Sequence, residues 1–334
     1  MVLVNFDAIK HNAQLIKNEI CCKKLCAVVK SDAYGHGLHC VANKICDVVD
    51  MFAVSNVTEA LEVLHLGKKV LVLLPSSVVD TALAVANNCI LSVDSLDTLQ
   101  RVENCAKSLG KVALVHIKID TGMNRFGFDN RNLSDLLSRL DTKHVSVGGV
   151  FSHFACADSD KAFTDRQFNT FCSLATMLEN AFAKKLVKHI ANTAATFLDS
   201  RYHLDMVRVG LGLYGYGDKR LMPAKTLLAT IVATKEVPAG TTVGYGATFT
   251  CKKPTKIALL DVGYSNGFSK SFSNACVVQI NGKSCCQIGN VCMGVMMVDA
   301  TNCDASVGDV AVLFGNTTTW NKDVFMYETL CNTR

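Results

Sequence analysis

The sequence is short of charge. Asp, Glu, Lys and Arg make up 19% of its 334 residues, below the roughly one quarter typical of soluble domains, and the formal net charge is only +5. No basic block is longer than a pair, as at Lys23-Lys24 and Lys184-Lys185, so neither nucleic acid nor a membrane surface is an expected partner. Long apolar runs are also missing: Val70–Leu74 is far too short to span a bilayer. The opening Met-Val-Leu-Val-Asn-Phe-Asp has no basic segment followed by an apolar one, so no secretory leader is expected. The 16 cysteines contain no Cys-x-x-Cys, and the pairs Cys21-Cys22 and Cys285-Cys286 lack zinc-ligand spacing. Cys26, Cys276 and Cys292 sit in apolar runs, where cysteine acts as a small hydrophobe. The expectation is free thiols in a reducing cytoplasm, with no metal.

What is present is a large apolar fraction, 49%, on a chain long enough for two domains. The first two-thirds alternates short apolar runs with helical patterns. Strands are expected over Leu25–Lys30, Met51–Ser55, Val70–Leu74, Ile90–Val93, Val112–Ile119, Val145–Phe151, Val187–Ala191 and Val207–Leu213. Helices are expected over Val57–Leu66, Ser95–Ser108 and Phe163–Lys185, the first starting at Thr58-Glu59 and stopping at Gly67. This alternation fits a (β/α)8 barrel, with a doubly wound sheet as competitor. Beyond Met222-Pro223 the texture becomes short β-rich runs with polar turns, and Asn281-Gly282 is a two-residue hairpin signal. The domain reading is a barrel over residues 1–222 and a mainly antiparallel β domain over 223–334.

Polar residues gather where each barrel strand should end: Lys30, Lys118 with Asp120 and Arg125, Ser152-His153, Asn192-Thr193, and Arg208 running into glycines. Each has an ordinary explanation alone. Lys30 could simply emerge into solvent, His153 could be a hydrogen-bonded core histidine, and Lys118 could face outward on its strand. In a barrel, however, the strand ends converge on one mouth, and that mouth is where chemistry occurs. A buried lysine costs several kcal/mol unless paired or neutralised, and desolvation makes its amine a nucleophile toward a carbonyl. Gly210-Leu-Gly212-Leu-Tyr-Gly215 matches a dinucleotide fingerprint, but no further βα unit follows it. Read as the loop after the eighth strand, it is a phosphate cradle. A phosphate ligand whose aldehyde meets a lysine is pyridoxal 5'-phosphate.

On these stretches, and on Val243–Tyr245, Gly263-Tyr264, Gly289–Met293 and Tyr327-Glu328, the chain resembles the bacterial alanine racemases, pyridoxal phosphate enzymes built of a barrel and a β domain. The resemblance implies interconversion of L-alanine and D-alanine by two bases, supplying D-alanine for peptidoglycan. It implies that Lys30 joins the cofactor aldehyde and serves one substrate face, with Tyr245 serving the other through the relay residue His153. Arg208 would face the pyridine nitrogen. Arg125 would contact the cofactor phenolic oxygen and the substrate carboxylate, and the Met293 backbone would also hold that carboxylate. Tyr34, Asn192, Thr193, Gly210, Leu211 and Tyr327 would hold the cofactor, and Lys118 matches a lysine that is carbamylated in much of the family. It also implies a head-to-tail homodimer in which Tyr245 and Met293 cross the interface.

The chain departs from the family pattern at Asn266, Asn290 and Gly294, where charged residues are usual. Thr193 replaces a usual serine, and no Arg-Val-Pro-Arg segment follows Tyr327. These departures leave open a racemase of serine or of a broader set, and a weakly active or non-catalytic pyridoxal phosphate-binding relative.

Overall fold

The computed structural model describes residues 1–129, 131–139, 143–315 and 326–333. The chain forms two compact units: Asp7–Ala33 with Gly37–Leu221, and Met222–Arg334 together with Met1–Phe6 and Tyr34–His36. The first strand, β1 (Val2–Val4), therefore belongs with the C-terminal part, where it pairs with Lys225–Leu227.

The larger unit holds β2 (Lys24–Val28), β3 (Met51–Val54), β4 (Lys69–Val72), β5 (Ile90–Val93), β6 (Ala113–Lys118), β7 (Val145–Phe151), β8 (Val187–His189) and β9 (Met206–Val209). They form one parallel eight-stranded sheet in which β9 returns to lie beside β2. Backbone bonds from Asp205 to Lys188 (3.1 Å) and from Arg208 to Ala191 (3.0 Å) join β8 to β9. This is the barrel alternative, not the doubly wound one. Strands β3 and β5 are buried at every residue, as parallel strands covered on both faces require.

The helices follow local caps. Ser95 accepts a bond from Thr98 N (3.2 Å) to open Leu96–Ser108, whose buried Leu99, Val102 and Ala106 make the inner stripe. Helix Val57–Val63 opens on Asn56, not on Thr58, because the Asn56 side chain accepts from Glu59 N. Gly67 closes that segment in the left-handed conformation, as expected. Strand β9 stops at Val209; the glycine-rich run after it is a 3-10 turn over Leu211–Tyr214, not a continuation of the strand.

The smaller unit is an antiparallel sheet in the order β15-β14-β17-β10-β13-β16, with β1 also on β10. Its strands are β10 (Lys225–Val237), β11 (Thr242–Val243), β12 (Phe249–Thr250), β13 (Thr255–Leu260), β14 (Val277–Ile280), β15 (Lys283–Cys286), β16 (Met296–Asp299) and β17 (Val310–Phe314), where β11 and β12 form a separate pair. The β14–β15 hairpin turns on Asn281 and Gly282, both at positive φ, as a type I′ turn demands. One side of the sheet buries Val237, Val243, Cys251, Ile257, Ile288 and Met297 together.

Candidate active site

The segment after β2 does not leave as a strand. Lys30–Gly35 forms a helical turn in which Ser31, Asp32, Ala33 and Tyr34 all have φ between +53° and +55°. It is a left-handed turn built from L-residues. Each such residue costs roughly 1–2 kcal/mol, so surrounding groups must impose the conformation. Glu59 does part of this: its carboxylate accepts from Ser31 N (2.6 Å) and Ser55 N (2.8 Å). Asp32 does the rest, accepting from Leu38 N at 2.7 Å, while Gly37 N bonds the Asp32 carbonyl. Strain held by neighbours in this way is typical of functional segments. Lys30 opens the turn, half-buried.

Arg208, on β9, is 4% exposed. Its Nη1 donates to His189 Nδ1 and to the His189 carbonyl, both at 2.9 Å. Its Nη2 donates to the Ser152 carbonyl (2.6 Å), His153 Nδ1 (3.2 Å) and the Ile190 carbonyl (3.4 Å). The Nε–H takes part in none of these bonds. Burial pushes Arg208 down to about 10, which leaves it protonated at neutral pH.

Because a guanidinium only donates, its partners fix the histidine tautomers. His189 Nδ1 accepts, so its proton is on Nε2. That nitrogen lies 2.8 Å from His116 Nδ1, which must accept in turn, putting the His116 proton on Nε2. By the same logic His153 carries its proton on Nε2. All three imidazoles are neutral: burial first, and then the Arg208 charge, holds His153 and His189 well below the usual range and His116 at about 3. The result is a one-directional chain of donors from Arg208 toward the opposite end of the barrel. There His116 lines a cavity of about 110 Å³ among Lys24, Lys69 and the strand N-termini. Gly149 makes room for it, since a Cβ there would lie 2.8 Å from the His116 ring, beside the register shift between β6 and β7.

Lys118 shares the inward face of β6 with His116, two residues away; the outward alternative does not hold. Its Nζ lies 4.6 Å over the Phe151 ring, and that ring also stacks on His189 and lies under Arg208. Burial, and then the charges of Arg208 and Arg125, push the Lys118 amine well below its ordinary value. Arg125 is exposed on the following loop. Asp120 Oδ1 anchors that loop by accepting from Gly122 N (2.9 Å), Met123 N (3.0 Å) and Asn124 N (3.1 Å).

Asn192 caps helix Thr193–Leu198, accepting from Ala195 N at 3.0 Å. The buried Thr193 hydroxyl accepts from Gly212 N (3.1 Å), tying this helix start to the loop opened by Gly210 and Leu211. The methyl that distinguishes threonine from serine fits against Gly212 and Gly217, where added Cβ atoms would lie 3.0 and 2.7 Å from it. The barrel unit thus brings together Lys30, Lys118, His153, Asn192, Thr193, Arg208, Gly210 and Leu211 at successive strand ends.

The other candidates lie in the smaller unit. Tyr245 and Met293 are 75% and 63% exposed. Tyr245 stands between Gly244 and Gly246, both at positive φ, and Asn290 Nδ2 donates to its carbonyl at 2.7 Å. Ser265 holds the Met293 carbonyl through N (2.9 Å) and Oγ (2.7 Å). Asn266 Oδ1 accepts from Gly263 N. Tyr34 is buried and Tyr327 half-exposed, with ring centroids 5.9 Å apart, and burial pushes the Tyr34 phenol up. Sequence reasoning passed over His116, Phe151, Asp32 and Glu59 as site-shaping residues. The alternation His116-x-Lys118 was the one signal that could have found a member of this set.

These donors fit pyridoxal phosphate. The Arg208 Nε–H suits a ring nitrogen that accepts, and the Thr193 hydroxyl with the Gly210–Gly212 backbone suits a phosphate. The family model of the alanine racemase N-terminal domain matches residues 4–218, and that of the C-terminal domain matches 224–333. An alanine racemase of Oceanobacillus iheyensis is 36% identical over 333 residues, covering 94% of this chain and 88% of that protein. One from Methanococcus maripaludis is 36% identical over 329 residues, covering 93% and 88%. Among solved structures, the biosynthetic alanine racemase of Pseudomonas aeruginosa superposes with a TM-score of 0.91 at 30% identity, covering 100% of this chain and 96% of its own. The enzyme of Bartonella henselae, solved with covalently bound pyridoxal phosphate, shares the fold at a TM-score of 0.91, 24% identity and coverages of 100% and 96%.

Proposed function

The chain belongs to the alanine racemase family and carries its racemase activity, and on that premise we propose how its own residues perform the reaction with pyridoxal phosphate as cofactor. The observation that carries the reading is Arg208, a permanent buried cation whose geometry is fixed by neutral imidazoles and carbonyls at the strand ends.

When bound, pyridoxal phosphate supplies an aldehyde for an amine and an electron-withdrawing ring that acidifies the substrate Cα–H. Lys30 meets that aldehyde and afterwards moves a proton at its Nζ on one face of Cα. Tyr245 moves a proton at its hydroxyl on the other, since inverting a centre through a planar carbanion requires an acid–base group on each side. His153 presents Nε2–H, which can donate to the Tyr245 oxygen and orient it for proton transfer. Arg208 cannot give up its proton to a ring nitrogen and so moderates electron withdrawal. Tyr34, Tyr327, Asn192, Thr193, Gly210 and Leu211 hold the phosphate end. Arg125 and the Met293 backbone orient the substrate carboxylate. The neutral Lys118 amine is the form that adds carbon dioxide, and its carbamate would be an anion able to orient Arg125.

In this reading residues 1–222, with Tyr327, hold the cofactor, and residues 223–334 also supply Tyr245 and Met293 across a head-to-tail homodimer. The high exposure of both side chains supports that arrangement. Among the described residues no helix is long and apolar enough to cross a membrane, in keeping with our proposal of a cytoplasmic enzyme supplying D-alanine to peptidoglycan.

Lys30→Ala and Tyr245→Phe test the scheme together. Lys30→Ala should lose both the visible absorbance of the lysine-bound cofactor and racemisation. Tyr245→Phe should keep the absorbance and impair α-proton exchange of L-alanine more than of D-alanine. A Lys30→Ala protein that keeps the band, or equal loss of exchange from both enantiomers, overturns the assignment.

A further inference from the structure

Lys225 has no place in the reaction described above, yet it is fully buried in the smaller unit. Its ammonium donates to three backbone carbonyls: Gly35 (2.7 Å), Leu330 (2.7 Å) and Thr333 (2.9 Å). Burying an ammonium costs several kcal/mol before compensation, and a methionine would fill the same volume without that cost. The three acceptors are not arbitrary. The Gly35 carbonyl ends the left-handed turn and directly follows Tyr34. The Leu330 carbonyl lies near the end of helix Met326–Asn332, three residues after Tyr327, and the Thr333 carbonyl lies just beyond that helix. Carbonyls at helix ends lack intrahelical partners and concentrate negative potential, which a cation satisfies.

The packing around this point is close. A Cβ on Gly35 would collide with the Leu330 carbonyl and lie 3.0 Å from the Lys225 ammonium. Gly267 is likewise pressed against the Asn332 carbonyl. One cation at the start of β10 therefore ties the carbonyl that follows Tyr34 to the C-terminal end of the helix that carries Tyr327, and the two tyrosine rings lie with centroids 5.9 Å apart, tilted by 42°.

We propose that Lys225 is a positioning residue for phosphate recognition: by tying the Gly35 carbonyl to the end of helix Met326–Asn332, its ammonium sets the spacing of Tyr34 and Tyr327 that lets both hydroxyls engage one phosphate group. This rests on the reading that Tyr34 and Tyr327 hold the cofactor phosphate. The clamp acts on the phosphate end alone, so its loss separates two ligands that differ only there.

The test uses the full chain stripped of cofactor and reloaded. Dissociation constants are measured for pyridoxal phosphate and for pyridoxal in the unmodified protein, Lys225→Met and Tyr34→Phe. Lys225→Met should lower the preference for the phosphorylated ligand by about tenfold or more, about 1.4 kcal/mol, with pyridoxal affinity unchanged. A preference unchanged within about twofold in Lys225→Met, alongside a fall in Tyr34→Phe, overturns the clamp and leaves the tyrosine reading standing. No fall in Tyr34→Phe overturns the tyrosine reading and the clamp with it. Equal weakening of both ligands in Lys225→Met marks general destabilisation and also overturns the clamp. If Lys225→Met does not fold, Lys225→Gln, whose amide sits on a side chain one atom shorter and cannot donate to all three carbonyls, carries the same measurement and the same criteria.

Discussion

The two units orient their functional side chains by different means. In the barrel, side chains hold side chains as well as backbone: Arg208 is set by the imidazoles of His189 and His153 together with three carbonyls, His189 by His116, and Lys118 by Phe151. In the β unit, side chains hold the backbone next to the functional group. Lys225 grips the carbonyl after Tyr34, Asn290 grips that of Tyr245, and Ser265 grips that of Met293. Imidazoles titrate and have two tautomers, whereas carbonyls do neither. The barrel arrangement is therefore chemically specific and sensitive to pH, and the β-unit arrangement is tolerant of which residue stands at the tip.

The comparison breaks most visibly at Arg208. Arg208→Lys keeps the charge but offers three donors from one point instead of a planar fork. It cannot reach two imidazoles and three carbonyls on both sides, so buried acceptors go unpaired at roughly 1–3 kcal/mol each. Racemase kcat/KM should fall by about a thousandfold, the upper end for losing an oriented electrostatic group, and Tm should drop with it. Near-normal kcat/KM in Arg208→Lys would mean that charge alone matters and that the tautomer chain is incidental.

Much of this architecture was legible in the sequence, and the illegible parts share a cause. The barrel strands are short, largely buried and rich in apolar residues, so Ile90–Val93 and Val145–Phe151 read correctly to the residue. Asn281-Gly282 read correctly because the turn is set by those two residues alone. Ser31–Tyr34 did not, because Ser, Ala and Tyr disfavour a left-handed turn; Glu59, remote in sequence, and the Asp32 carboxylate together hold it. The role of Glu59 was obscured in turn by its place in a helix start, where a capping role explains an acidic residue well enough. Lys225 was hidden for the opposite reason. Its acceptors are backbone atoms from residues 35, 330 and 333, and backbone acceptors leave no mark on residue identity. The same holds for Arg208: the sequence shows a basic residue at a strand end, but its five bonds depend on where β7 and β8 stop.

The titration contrast gives a second, intermediate effect. His116, His153 and His189 have folded values below the unfolded value of about 6.5. A group lowered on folding contributes stability that is complete above its unfolded value and is lost as pH falls toward its folded value. Below pH 6.5 each such histidine should steepen the loss by up to about 1.4 kcal/mol per pH unit, and for His116 the window extends to about pH 3. His116→Asn keeps an acceptor for His189 Nε2–H and removes one titrating group. Urea unfolding at pH 7, 6 and 5 should show a shallower pH slope in this variant by about that amount. An unchanged slope would place the acid sensitivity outside the chain.

The smallest effect belongs to the β unit. Asn290→Ala removes one bond to the Tyr245 carbonyl while Gly244 and Gly246 still set the local backbone. An exposed hydrogen bond of this kind contributes about 0.5–1.5 kcal/mol, so Tm should move little. If backbone anchoring positions Tyr245, the loss should appear in kcat for L-alanine and leave KM nearly unchanged, because the tyrosine reacts with substrate already bound. The effect should also be independent of pH between 6 and 8. A pH-dependent loss in Asn290→Ala would show that the anchor reaches the Tyr245 phenol as well as its backbone, and the division between the two units would then be less sharp than their hydrogen bonds suggest.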